Sequence, residues 1–428
     1  MVSFPPPNLM PGRYESRIWE SDATRDAPPR HRRDCRYEVH LPEPLAGLDI
    51  RLDGALAALV SEAEQALIAL NNDGGPALAP LARLLLRTES IASSKVEGLQ
   101  LGVRELARAE AKAESGTVPG ATALEVLGNI DAMVLAVESA AERTRFGEQE
   151  ILAIHRRLLE GTVHQRIAGQ YRDSQNWIGG NDYTPCGADF VPPPPDLVAP
   201  LLVDLCDTIN DEMLSPLVQA ALVHAQFETI HPFDDGNGRT GRALVHVVLK
   251  RRGIARAFVP PISVVFAGAR MNYIDALTRY RNAGDVGVNA WIEHFATAML
   301  RAARLARSYV ADARDLQEQW RARLRAQGAV PRSDAAAWAI IDLLPAHPMI
   351  SAPVATAMTQ RSKSRVYEAI EQLVAAGVLV PLSSGQRNRW WEAAGLFDLI
   401  GQLESDEYPR SRLLRSRSND VGLTNRLS

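Results

Sequence analysis

Residues 231–242 read HPFDDGNGRTGR, which places one histidine, two adjacent aspartates, three glycines and two arginines directly ahead of the apolar run ALVHVVL. Each residue type has its own chemistry. Successive glycines before a helix can turn several backbone N–H groups toward one point, and a helix start adds partial positive charge. Arg239 and Arg242 can fork onto phosphate oxygens, so Gly236, Asn237, Gly238, Thr240 and Gly241 complete a cradle for a polyphosphate. Asp235 is a hard oxygen donor suited to Mg2+, which takes one or two protein carboxylates and bridges substrate phosphates. Histidine titrates near neutrality, so His231 supplies a general base. Anion cradle, metal ligand and base together form the minimal kit for a hydroxyl to attack a nucleotide phosphate.

Competing readings fit less well. GNGRTG satisfies GxGxxG, but a dinucleotide turn follows a buried strand and meets an acidic residue about 20 positions on. Here the preceding segment is helical in period, and no Asp or Glu occurs between Arg242 and Asp275. No VAIK, HRD or DFG partner supports a kinase loop. His224 and His231 stand seven apart, a spacing that matches no standard zinc pattern.

HPFDDGNGRTGR resembles the signature of the Fic family of AMP-transferring enzymes, HPFx[DE]GNGRxxR, at every specified position. The resemblance extends to GQYRDSQNWIGG and ADFVPPPP, and to RMNYIDAL and WIEHF, covering roughly residues 45–300. It implies a mainly α core in which His231 deprotonates a target hydroxyl and Asp235 holds Mg2+. Asn237 and the loop amides would grip the α- and β-phosphates of ATP, with Arg242 on the γ-phosphate. AMP would pass to a Tyr, Thr or Ser hydroxyl of a target protein, or of the chain itself. Trp177, Ile178, Gly179 and Phe190 would belong to a flap beside the target. Tyr273 and Ile274 would stand near the adenine, where the family often has YYxxL and this chain reads YIDAL.

The stretch SSKVEG at 93–98 resembles the family's inhibitory pattern [ST]xxxE[GN] through Ser93, Glu97 and Gly98. That resemblance implies an ion pair between Glu97 and Arg242 that withholds the guanidinium from ATP. A carboxylate there could also position a water for removal of AMP, so the net direction stays open. A rival reading from another class is an ATP-sensing regulator that binds DNA without transfer.

These residues need a scaffold. With 428 residues, 46% hydrophobic and 23% charged, the chain suits two or three globular domains. The net charge of -4 offers no whole-chain attraction for nucleic acid or an anionic membrane. Three scattered cysteines give neither a disulfide framework nor a metal knuckle, which points to a reducing, cytoplasmic setting. The N-terminus lacks a signal-like apolar segment, and no run approaches the ~20 apolar residues of a membrane span.

The apolar periodicity is helical almost throughout. Residues 1–45 read as an extended arm, 46–120 as a helical region carrying the inhibitory motif, 121–300 as the catalytic core and 301–330 as a linker helix. The convincing strand-like place in the first 330 residues is 168–195, read as a β-hairpin flap. Residues 331–402 read as a winged helix-turn-helix with a two-stranded wing, and 403–428 as a disordered tail. Arg361, Lys363 and Arg365 would open the recognition helix, with Arg387 and Arg389 in the wing. Residues 331–400 carry six basic and six acidic residues, so DNA and a docked protein are both open as partners, and a homodimer is allowed.

Overall fold

The computed structural model describes residues 12–21, 27–46, 50–72, 79–114, 118–138, 140–327, 331–332, 334–382 and 389–404. Among them, β1 (Gly12–Trp19) and β2 (Cys35–Pro42) are followed by α1 (Gly54–Asn72), α2 (Ala79–Val96), α3 (Val103–Glu114), α4 (Ala121–Glu138) and α5 (Glu148–Leu159). Next come α6 (Val198–Asn210), α7 (Pro216–Ile230), α8 (Asn237–Arg251), α9 (Ile262–Gly268), α10 (Arg270–Asn282) and α11 (Gly284–Arg325). The chain continues through α12 (Ala336–Leu343), β3 (Met349–Ser351), α13 (Ala352–Thr359), α14 (Lys363–Ala375), β4 (Leu379–Pro381), β5 (Trp390–Ala393) and α15 (Leu396–Glu404). Arg387 and the tail from residue 405 lie outside the described residues. No helix among those described is long and apolar enough to cross a membrane.

The chain forms two compact units, neither contiguous in sequence. The first comprises residues up to Gln65, Gly128–Arg256 and Ala269–Leu300. Its centre is α7, buried at every position from Leu217 to Ile230. A helix buried all round belongs inside a core, and Pro216 opens it where no intrahelical N–H bond is lost. Helix α8 is buried from Asn237 to Leu249. Gly241 lets it close on α7: a Cβ there would lie 2.9 Å from Glu228 Oε1 and 3.0 Å from Phe227 Cδ1. Trp291 of α11, fully buried, donates from Nε1 to Ala221 O at 2.8 Å. Two buried helices are thus held side by side, and the short loop between them carries the motif.

The second unit comprises Ala66–Leu127, Ala257–Gly268 and the chain from Arg301 onward. Its core joins Leu84 of α2, Trp320 of α11, Ile340, Leu373, Trp391 and Phe397. Trp320 donates from Nε1 to Ala394 O at 3.0 Å. Helices α12, α13 and α14 accompany a three-stranded antiparallel sheet of order β3-β5-β4, with Met349 opposite Glu392 and Leu379 opposite Ala393. The sheet has one strand more than the two-stranded wing expected. MIS at 349–351 is too short to show alternation, and its pairing with β5 is non-local.

Other expectations also need correction. The stretch read as an extended arm includes β1 and β2, which pair from Gly12↔Pro42 to Trp19↔Cys35. Most β1 side chains are exposed or half-buried, so its sequence lacks the apolar alternation that marks a strand. The expected flap hairpin is a single bridge, Ile178↔Phe190, rather than a ladder, because glycines on one side and Pro192–Pro195 on the other stop it from growing. Helix α11 runs unbroken through residue 300, where a linker helix was expected to begin.

The cysteines differ as well. Cys35 at the start of β2 and Cys186 in the flap are disulfide-bonded, with Cα atoms 6.2 Å apart. A separation of 151 residues hides such a pair from spacing arguments. Cys206 is buried, and burial pushes its thiol pKa up to about 12. Peptide mapping without reductant is expected to recover Cys35 linked to Cys186, with Cys206 alkylated only after unfolding. Alkylation of Cys35 and Cys186 in the folded, unreduced chain would contradict the pairing.

Candidate active site

The motif begins where α7 stops. His231 caps that helix in the left-handed region, φ 49° and ψ 60°, with its N–H still donating to Phe227 O at 2.9 Å. A non-glycine residue pays a steric cost there and holds it only when its surroundings impose it. The loop ends at Gly236, φ 80°, the N-cap of α8. A Cβ at Gly236 would stand 2.9 Å from Leu158 Cδ2, so both conformation and space call for glycine.

Between these two residues the loop's carbonyls are taken up one after another. Arg172, 3% exposed, donates from Nε to His231 O at 2.9 Å and from Nη2 to Ile230 O at 3.4 Å, and its N–H donates to Pro232 O at 3.0 Å. The same guanidinium donates to Ser174 O at 3.1 Å and to Pro193 O, which anchors the flap's base. Burial lowers the Arg172 pKa to about 10, leaving it charged at neutral pH. Asn176 Nδ2 donates to Phe233 O at 3.0 Å and to His231 O at 3.4 Å.

Asp235 O is held by His155 of α5, whose Nε2 lies 2.9 Å away. Gly169 N–H donates to the other ring nitrogen, Nδ1, at 3.0 Å, so Nε2 carries the proton. The imidazole stacks on Phe233 with centroids 3.6 Å apart. Burial is the main cause holding its pKa at about 4, and Arg239 and Arg156 lower it further.

The expected site residues fall into three sets. Asp235 stays half-buried and accepts from Arg239 Nη2 at 2.9 Å, leaving carboxylate surface exposed. It suits a magnesium ion that takes one protein carboxylate. Among the described residues no group of three or more His, Cys, Asp or Glu could hold a metal ion by itself. Arg239, Thr240 and Arg242 are buried at 3%, 1% and 0% exposure, beneath the loop rather than out in solvent.

Asn237 also braces the loop: its Oδ1 accepts from Phe233 N at 2.9 Å and its Nδ2 donates to Phe233 O at 2.8 Å. Tyr273 is likewise a core residue: 4% exposed, it hydrogen-bonds His224 Nε2 through its hydroxyl at 2.9 Å. That bond also places His224 in the interior, with a pKa lowered to about 3, mainly by burial. Ile274 lies on the surface at 36% exposure.

In the flap, Ile178 N donates to Phe190 O at 2.8 Å, and Gly179 takes φ 75° where a Cβ would strike Asp189. Trp177 packs edge-on against Trp19. Phe190 lies under the Arg281 guanidinium, 3.8 Å from its ring centroid.

Residues 145–249 match the model of the Fic/DOC family, and residues 57–138 match that of the Fic/DOC family N-terminal region. The chain thus resembles the Fic/DOC family over these two stretches. A protein adenylyltransferase Fic from Nematostella vectensis is 34% identical over 176 residues, 40% of this chain and 37% of that protein. Protein adenylyltransferase fic-1 from Caenorhabditis elegans is 34% identical over 122 residues, 28% and 22% of the two chains. The chain therefore spans little more than a third, at most, of these curated relatives. Among solved structures, a Fic family protein from Desulfovibrio desulfuricans G20 is similar with a TM-score of 0.48 at 22% identity, over 81% of this chain and 97% of that one.

Around the motif at 231–242, the roles of Arg172, Asn176 and His155 escape a reading of the sequence. Arg172 and Asn176 stand inside the quoted GQYRDSQNWIGG, but nothing there says that they hold loop carbonyls. His155 sits in an ordinary amphipathic helix, 80 residues from its partner Asp235. In the second unit, Ser93 is fully buried and Glu97 exposed. Ser94 O accepts from both Glu97 N and Leu99 N at 3.1 Å, and Gly98 at φ 85° ends α2 as a glycine C-cap.

A neutral His155 has a pH signature. Its folded pKa lies below the ordinary value of 6.5, so between pH about 6.5 and about 4 the unfolded chain binds more protons than the folded one. Stability present at neutral pH is then lost as pH falls through that window. His155→Gln is expected to flatten the slope of unfolding free energy against pH there by about one proton, ~1.4 kcal/mol per pH unit. An unchanged slope would contradict the assignment.

Proposed function

We propose that the chain is a protein adenylyltransferase that moves AMP from ATP to a hydroxyl side chain of a target protein. The carrying observation is the loop itself: a base in a strained cap at the end of one buried helix, with the start of a second buried helix a few residues on. His231 takes the proton from the target hydroxyl. The hydroxyl oxygen attacks the α-phosphorus, the bond from that phosphorus to the bridging oxygen breaks, and pyrophosphate leaves. The amides of Asn237 and Gly238 open α8 and offer anion-binding donors, while the buried Arg239 and Arg242 add positive potential beneath them. Asp235 would hold Mg2+, which would screen the phosphates and help stabilise the departing charge.

The proposal includes restraint by Glu97 and self-modification once that restraint is removed. Names of relatives as adenylyltransferases and the match across the Fic motif support it. A second reading, nucleotide-responsive DNA binding, is favoured by the first turn of α14, which exposes Lys363 and Arg365 next to Ser362 and Tyr367.

Intact-mass analysis after incubation with ATP and Mg2+ separates the two. The Glu97→Gly chain is expected to gain adenylyl groups at least about tenfold faster than wild type, and the Glu97→Gly/His231→Ala chain to gain none. Equal gain in all three variants contradicts both the base and the restraint. Salt-sensitive duplex binding that survives His231→Ala, with no adenylyl gain in any variant, favours the DNA reading.

A further inference from the structure

Helix α2 carries the buried Ser93 and ends at Val96, just before the exposed Glu97, and its buried surface is unusually polar. Arg87, Thr88, Glu89, Ser90, Ser93 and Ser94 are all buried, among them Glu89, Ser90, Ser93 and Ser94 with no exposed surface. Apolar burial is non-directional, so such a face needs specific polar bonds to settle how the helix is rotated. Three hydroxyls form bonds within α2: Thr88, Ser90 and Ser94 donate to the carbonyls of Leu84, Leu86 and Ser90, one turn earlier. Glu89 reaches outward. Its Oε2 accepts from Ser263 N at 2.8 Å and its Oε1 accepts from Ser263 Oγ at 2.5 Å.

Ser263 belongs to α9 and is itself fully buried. A carboxylate that receives both a backbone N–H and a hydroxyl forms charge-assisted bonds, roughly twice as strong as neutral ones. Arg87, two residues earlier and so about 200° around the helix, pairs with Glu110 of α3. Two ties on nearly opposite sides leave α2 little freedom to turn. Ser93 follows Glu89 by one turn, displaced about 40° around the axis, and Glu97 stands in the turn directly after α2. Any rotation of the helix moves all three together.

We propose that Glu89 is a positioning residue for Glu97: by binding Ser263 it sets the rotation of α2 and so the place where the restraining carboxylate stands. This rests on the reading of Glu97 as an inhibitor. The carboxylate of Glu89 takes no part in transfer. Its role is to hold α2 in the restraining orientation.

The test measures initial rates of self-adenylylation in the full chain for wild type, Glu97→Gly, Glu89→Gln, Glu89→Ala, Ser263→Ala and the double variant Glu89→Ala/Glu97→Gly. Glu89→Ala is expected to raise the rate about tenfold, the factor that corresponds to loss of one charge-assisted bond. Glu89→Gln, which keeps an acceptor oxygen, and Ser263→Ala, which keeps the N–H donor, should raise it less. The double variant should match Glu97→Gly, because a helix without its carboxylate has nothing left to position.

A merely structural Glu89 would instead lower the rate in the Glu97→Gly background. Activation by Glu97→Gly together with a wild-type rate in Glu89→Ala and Ser263→Ala overturns this proposal alone. No activation by Glu97→Gly overturns the inhibitor reading and the positioning role with it. If Glu89→Ala fails to fold, Ser263→Ala and Glu89→Gln decide.

Discussion

Backbone carbonyls where α7 ends and its loop leads to α8 are held by donors from several parts of the first unit. Ile230 O and His231 O accept from the Arg172 guanidinium, Pro232 O from the Arg172 amide, Phe233 O from Asn176 and Asn237, and Asp235 O from His155. A peptide unit is planar, so fixing its carbonyl fixes the opposing N–H. The strained cap at His231 and the left-handed Gly236 persist because these bonds impose them. Donors arranged before a reaction need no reorganisation during it, which is where electrostatic catalysis gains most.

Buried Arg172 and His155 provide much of that arrangement, and burial governs their chemistry. Arg172 stays charged despite burial, so its bonds to carbonyl oxygens keep a charge-assisted character. His155 stays neutral because burial outweighs its bond to Asp235 O. A protonated His155 would lose the Nδ1 acceptor that Gly169 N–H uses. The disulfide from Cys35 to Cys186 and the bond from His40 N to Val191 O link the flap to β2.

The motif was the most legible part of the sequence. Its residue types state their chemistry, and its glycines sit where the backbone needs them, at Gly236 for conformation and at Gly241 for helix contact. Helices were legible because their apolar spacing spans many residues, as in α7 and α11. Asn237 and Tyr273 were legible as site residues but not in their observed roles, since both depend on partners that only folding brings near. His155, Arg172 and the Cys35–Cys186 pair were hidden for the same reason. β1 was hidden because a strand whose side chains mostly face solvent carries no apolar alternation, and β3 because three residues cannot show a period.

The central claim is that the loop is built before nucleotide arrives, and amide hydrogen exchange on the chain alone tests it most directly. The amides of Gly169, Arg172, His231 and Phe233 all donate to named acceptors. They should exchange slowly without ATP and change little when it is added. Fast exchange at Arg172 and Phe233 that slows only with ATP would show that nucleotide builds the loop, and would contradict the account.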